Sequence, residues 1–61
     1  MGGRELLRRY QVREGIRQAD LARRLGVSAA AVSLWLRGLR TPDRAAALRI
    51  ASVAGVPVDT W

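Results

Sequence analysis

Neither cysteine nor histidine occurs in this 61-residue chain, and lysine is missing as well. Without cysteine no disulfide can staple the fold, and without either residue no ordinary zinc site can form. The five acidic residues, Glu5, Glu14, Asp20, Asp43 and Asp59, are scattered among arginines and helix starts. With no histidine or cysteine beside them they build no pocket of converging titratable groups, so no enzyme and no cofactor is expected. No apolar run approaches the ~20 residues a membrane-crossing helix needs. The N-terminus is charged from Arg4 onward and lacks the apolar stretch of a signal peptide, which makes a cytoplasmic location the expectation. A chain this short buries only about 60% of its unfolded surface. Its core must come from helix packing alone, with help from a second copy of the chain.

What is present is positive charge. Eleven basic residues, all arginine, face the five acids, for a net charge of +6. Ala, Arg, Gly, Val and Leu dominate the whole chain, so coding bias accounts for arginine in place of lysine but not for the excess of charge. Such a balance suits a polyanion, with nucleic acid ahead of an anionic membrane surface. A membrane-active cationic peptide would be one continuous amphipathic helix; the repeated turns and caps here argue against it.

Those turns divide the chain into short helical segments, and there is no strand-like alternation, so the fold class is all-α. Arg4 to Arg13 carries Leu6, Leu7 and Tyr10 on one stripe and is closed by Gly15. Gln18 to Leu25 places Leu21, Ala22 and Leu25 on one face and ends at Gly26. Ser28 stands as the N-cap of a third helix, Ala29 to Arg37, whose Val32, Trp35 and Leu36 fall together. On a wheel Ala30, Ser33, Leu34 and Arg37 occupy the opposite side. Beyond Gly38, Thr41-Pro42-Asp43 restarts the chain, with Thr41 or Asp43 as the cap. The fourth helix runs from about Asp43 to Ala54, with Ala47, Ile50, Ala51 and Ala54 inward and Leu48 and Val53 flanking. Gly55 stops it, and Val56-Pro57-Val58 is extended. Val56, Val58 and Trp61 form an apolar patch that so small a core is expected to leave for a homodimer interface. Arg8, Arg9, Arg23 and Arg24 read as solvated outer faces, and Asp20 with Arg24 as a weak i, i+4 surface pair.

The stretch from Gln18 to Gly38 holds a helix, the turn Gly26-Val27-Ser28 and a second helix. A short glycine-containing turn makes such helices cross steeply and leaves the second one projecting. In Gln18, Leu21-Ala22, Leu25-Gly26-Val27-Ser28, Val32-Ser33, Trp35, Gly38, Pro42 and Leu48 through Ala51, the chain resembles the lambda-repressor-like (Cro/CI, Xre) family of helix-turn-helix proteins. The resemblance runs from about Gly15 to the C-terminus. It implies a compact four- to five-helix bundle and residues 1–61 as one DNA-binding domain with its helix-turn-helix at about 18–37; family members often place a fifth helix after the segment matching Val56 to Trp61.

It also implies roles. Ser28, Ala29, Ala30, Ser33 and Leu34 match positions that face base edges of double-stranded DNA, with helix 29–37 in the major groove. Gln18 matches a residue that anchors a phosphate and braces the recognition helix. Arg37 and Arg40 match the backbone clamp at the end of that helix. Arg17, at the start of the second helix, joins the expected phosphate contacts, although relatives usually carry a capping Thr or Ser there. The implied function is that of a small phage or prokaryotic transcriptional repressor acting as a homodimer in the nucleoid, with no small-molecule ligand. The alternatives are an autorepressing antitoxin of a toxin–antitoxin pair, for whose toxin-binding tail few residues are available, or a helix-turn-helix domain used for protein contacts. Ala29-Ala30-Ala31 replaces the glutamines or charged residues of well-specified relatives. Direct readout is therefore expected to be thin and DNA shape to matter more.

Overall fold

A computed structural model describes residues 1–61, and its regular elements are all helical, without strands. Helix α1 spans Gly3–Glu14, α2 Gln18–Leu25, α3 Ala29–Leu36 and α4 Arg44–Ala54, followed by a 3-10 turn at Val58–Thr60. No helix is long and apolar enough to cross a membrane. The expected helix boundaries hold to within a residue.

Local chemistry sets these limits. The hydroxyl oxygen of Ser28 accepts the Ala31 N–H at 3.1 Å and opens α3. Asp43, not Thr41, opens α4, its carboxylate accepting the Ala46 N–H at 2.8 Å. Each cap satisfies an orphan donor of the first turn and stabilises its helix by about 1 kcal/mol. Between α2 and α3 the chain reverses at Gly26, whose φ of 68° lies in the left-handed region. The Gly26 N–H returns to the Arg23 carbonyl at 3.2 Å and the Val27 N–H to the Ala22 carbonyl at 3.0 Å, which closes α2 and releases the chain sideways.

Every helix contributes to one core: Leu7 and Tyr10 from α1, Leu21, Ala22 and Leu25 from α2, Val32, Trp35 and Leu36 from α3, Ala46 and Ile50 from α4. Val56 joins them with 1% of its surface exposed. Two expectations are corrected here. In α4 the inward stripe sits closer to the N-terminus than the wheel placed it: Ala46 is buried, whereas Ala51 and Ala54 are half-buried. The buried Pro42 and the Asp43 cap draw the first turn of α4 inward. The supposed C-terminal interface patch also largely disappears into the molecule. Val56 is core, and the Trp61 indole packs on the first turn of α1, so close that a Cβ on Gly3 would lie 2.6 Å from it. A terminal segment after a proline has no periodicity to reveal which way it folds.

Arginines tie the helices together, which corrects the reading of Arg8 and Arg24 as merely solvated, whereas Arg23 stays on a solvated face. Arg8 of α1 donates to the Leu36 carbonyl at 2.9 Å, satisfying an orphan acceptor at the end of α3. Arg24 of α2 donates to the Tyr10 hydroxyl at 3.0 Å and to Glu14 at 2.7 Å, so its carboxylate partner is Glu14 and not Asp20. Asp20 instead pairs with Arg23, one residue nearer along its own helix. Arg49 of α4 donates to the Gly26 carbonyl at 3.1 Å, pinning the turn from above.

Gly26→Ala is expected to lower stability by about 1 kcal/mol or more through its left-handed backbone. The new methyl would also crowd the Arg49 guanidinium, 3.0 Å from the Cβ position. Thermal melts of the two proteins check this, and an unchanged midpoint would refute the turn geometry.

Candidate nucleic-acid interface

Helix α3 is two-sided. Val32, Trp35 and Leu36 face the core, while Ala29, Ala30 and the cap residue Ser28 are exposed and Ser33 and Leu34 are half-buried beside them. The five residues expected to face bases thus share the outer side or its margin. They present small apolar surface and two hydroxyls. The Ser28 oxygen is already an acceptor for the Ala31 N–H, which leaves its hydrogen free to donate outward.

The end of α3 is shaped by its own carbonyls. The Leu39 N–H returns to the Leu34 carbonyl at 3.0 Å and the Arg40 N–H approaches the same oxygen at 3.4 Å. The backbone therefore folds back over the last turn, and Arg37 and Arg40 flank that end, both exposed. At the start of α2, Arg17 and Gln18 are exposed too. The side chains of Arg17, Gln18, Arg37 and Arg40 take part in none of the hydrogen bonds or ion pairs of the chain. Gln18 accordingly makes no bracing bond to α3 within the protein.

Bracing comes from elsewhere. Arg8 at the Leu36 carbonyl and Arg49 at the Gly26 carbonyl hold the two ends of α3, the first directly and the second through its preceding turn. Sequence reasoning missed both. A periodic pattern records which side of a helix an arginine occupies, but not which carbonyl from another helix waits there.

The α2 start is stabilised differently from expectation. Arg17 has the extended backbone of an N-cap, φ −85° and ψ 167°, and its guanidinium has no acceptor with which to cap. Asp20 supplies the reciprocal half of a capping box instead, its carboxylate accepting the Arg17 N–H at 3.3 Å. That bond, with the Arg23 guanidinium beside it, holds the Asp20 carboxyl below its ordinary range. The carboxylate also suits the positive end of the α2 dipole and offsets the misplaced cation next to it.

No group of three or more His, Cys, Asp or Glu side chains stands where it could hold a metal ion. Compared with known families, residues 4–60 match a family model described as a helix-turn-helix domain. No curated protein and no solved structure matches the chain.

Because the Asp20 carboxyl is depressed in the folded protein, its contribution is complete above the unfolded carboxylate value, about 4, and is lost as pH falls through the folded one. Wild type should therefore lose stability relative to Asp20→Asn as pH drops from about 5 to about 2. Melting curves of both proteins across that range check it; parallel pH profiles would contradict the half box.

Proposed function

Since the chain belongs to the helix-turn-helix domain family, a kind of domain that binds DNA, we propose that residues 1–61 act as one sequence-specific double-stranded DNA-binding unit, a transcriptional repressor of the lambda-repressor-like (Cro/CI, Xre) type. One observation carries the reading. The outer side of α3 carries no charge, while the residues beyond its end, Arg37 and Arg40, and Arg17 with the neutral Gln18 at the start of α2 are exposed and without internal side-chain partners.

A helix of 8 residues is about 12 Å long and enters a major groove over three or four base pairs. In this mechanism Ala29 and Ala30 lie against thymine methyls, Ser28 and Ser33 offer hydroxyls to base edges, and Leu34 packs at the margin. Arg17, Gln18, Arg37 and Arg40 hold phosphates. None of the base-facing residues forms the bidentate pairs that discriminate bases by about 1–3 kcal/mol each. Affinity is then led by phosphate contacts, and selectivity leans on groove shape. So short a footprint calls for two copies, placing two α3 helices about 34 Å apart on successive turns of DNA. With Val56 and Trp61 engaged within the chain, we place that contact on α4, where Leu48 and Val53 remain 50% and 40% exposed, although Met1, Val12 and Leu39 are exposed as well. Occupying operator DNA represses by excluding other proteins from it.

Titration of a palindromic duplex between about 50 and 200 mM salt tests the reading: with about six phosphates neutralised, log K falls against log salt with a slope near −5. Two chains per duplex are expected. A slope shallower than about −2 would overturn the phosphate-led mechanism, and one chain per duplex would overturn the dimer.

Arg17→Thr separates folding from binding at one position. Threonine completes the capping box with Asp20 and is expected to raise stability by about 1 kcal/mol. The same change is expected to weaken DNA binding evenly across sequences and to flatten the salt slope by about one unit. Paired melting and titration read both; tighter or unaltered binding would remove Arg17 from the interface.

A further inference from the structure

Gly38, the second residue beyond α3, has a φ of 74°, and a Cβ built on it would lie 2.3 Å from Nη1 of Arg4 and 3.4 Å from its Cζ. The guanidinium of Arg4 therefore lies across the bare α-carbon of Gly38. It comes from the first turn of α1 and reaches the segment whose neighbouring residues are Arg37 and Arg40.

Nothing inside the protein rewards that placement. Arg4 takes part in no ion pair and no hydrogen bond, for the two ion pairs of the chain are Arg23 with Asp20 and Arg24 with Glu14. Asp43, the acid nearest in sequence to the segment, is engaged with the Ala46 N–H. Glu5 lines the outer face of α1 with Met1, Arg9 and Val12. A cation in the first turn of a helix also meets the positive end of its dipole. Packing holds the turn in place all the same, because Gly3 is seated against the Trp61 ring. Arg4 over Gly38 thus adds a third unpartnered cation to the end of α3, where exposed Arg37 and Arg40 stand on either side of Gly38 in sequence and Arg8 is already held at the Leu36 carbonyl.

We infer that Arg4 is a further phosphate-binding residue: lying over Gly38, it joins Arg37 and Arg40 in gripping a phosphodiester of bound DNA at the end of α3. The inference rests on the DNA-binding reading above and extends that interface from the α2–α3 pair onto α1. An arginine suits the task because its planar fork donates two parallel hydrogen bonds to phosphate oxygens. A phosphate there also relieves the repulsion among the three cations and suits the α1 dipole. The absence of a side chain at Gly38 is what lets the guanidinium lie flat at this corner.

The test uses the full chain and three variants, Arg4→Gln, Arg4→Lys and Arg9→Gln, in duplex titrations at several salt concentrations. Arg9 is a fit control: it lies on the same helix, loses the same charge, and lines the outer groove with Met1 and Val12. Arg4→Gln is expected to flatten the salt slope by about one unit, so that its affinity deficit against wild type shrinks about threefold between about 50 and 200 mM salt. Arg4→Lys should recover most of the slope, and Arg9→Gln should leave it unchanged. Melting midpoints of all three guard against a folding defect; should Arg4→Gln melt early, the Arg4→Lys slope decides. A slope for Arg4→Gln equal to that of wild type or of Arg9→Gln overturns the inference while leaving the DNA-binding reading intact. A wild type with no steep salt dependence overturns both.

Discussion

The structure depends on a division of labour within α3. Val32, Trp35 and Leu36 keep only 0%, 6% and 1% of their surfaces exposed, and they share one core with residues from every other helix, α3 lying against α2 and α1. Burying side chains of this size stabilises by about 1.5–3 kcal/mol each. In a protein with no disulfide, that is a large fraction of a net stability that for small domains is about 5–15 kcal/mol at best. The same helix must leave its other side empty of internal partners. It does so because its outer residues are small or hydroxylic, and because both of its ends are fixed from outside, by Arg8 at Leu36 and Arg49 through Gly26. A helix held only by its own core contacts could rock about them; two arginine–carbonyl bonds from different helices restrict that motion.

The arginines accordingly fall into two populations. Arg8, Arg23, Arg24 and Arg49 have acceptors within the protein, and Arg13 lies over the Tyr10 ring at 5.6 Å. Arg4, Arg9, Arg17, Arg37, Arg40 and Arg44 have none. Exposed ion pairs such as Arg23 with Asp20 contribute at most about 1 kcal/mol, so the first group matters for orientation more than for total stability. The second group costs a little in like-charge repulsion and in opposed helix dipoles, and under the proposed function a DNA phosphate relieves that cost.

Much of this was legible in the sequence. Glycine at helix ends, Ser28 before an apolar triad and Pro42 before a new helix fixed the element boundaries, because each is a local backbone requirement. The two sides of α3 were legible for the same reason, a period of 3.6 residues over an uninterrupted segment. What escaped was tertiary. Spacing alone paired Arg24 with Asp20 at i, i+4, and only the approach of α1 to α2 gives it Glu14 along with the Tyr10 hydroxyl. Val56 was assigned to an interface because no pattern says that the chain after Gly55 turns back onto the core. Arg4 over Gly38 joins residues far apart in the sequence, and neither position signals the other.

The composition of the outer face carries one further consequence under the proposed function. Alanine and serine give α3 little power to reject a wrong base, whereas the unpartnered arginines bind any phosphate. A single copy would therefore bind DNA readily and choose poorly. Two linked copies multiply their discrimination, since mismatch costs at separated positions add roughly as free energies. They also require a fixed spacing between half-sites, which is a test of DNA geometry and needs no bidentate side chain. Rigid placement of α3 is then the property that selectivity depends on most. A helix that reads methyl groups and groove width must be held at a constant angle, and the Arg8 and Arg49 bonds supply that constraint from behind. Specificity in such a protein resides less in the residues that touch the bases than in the arginines that never reach them.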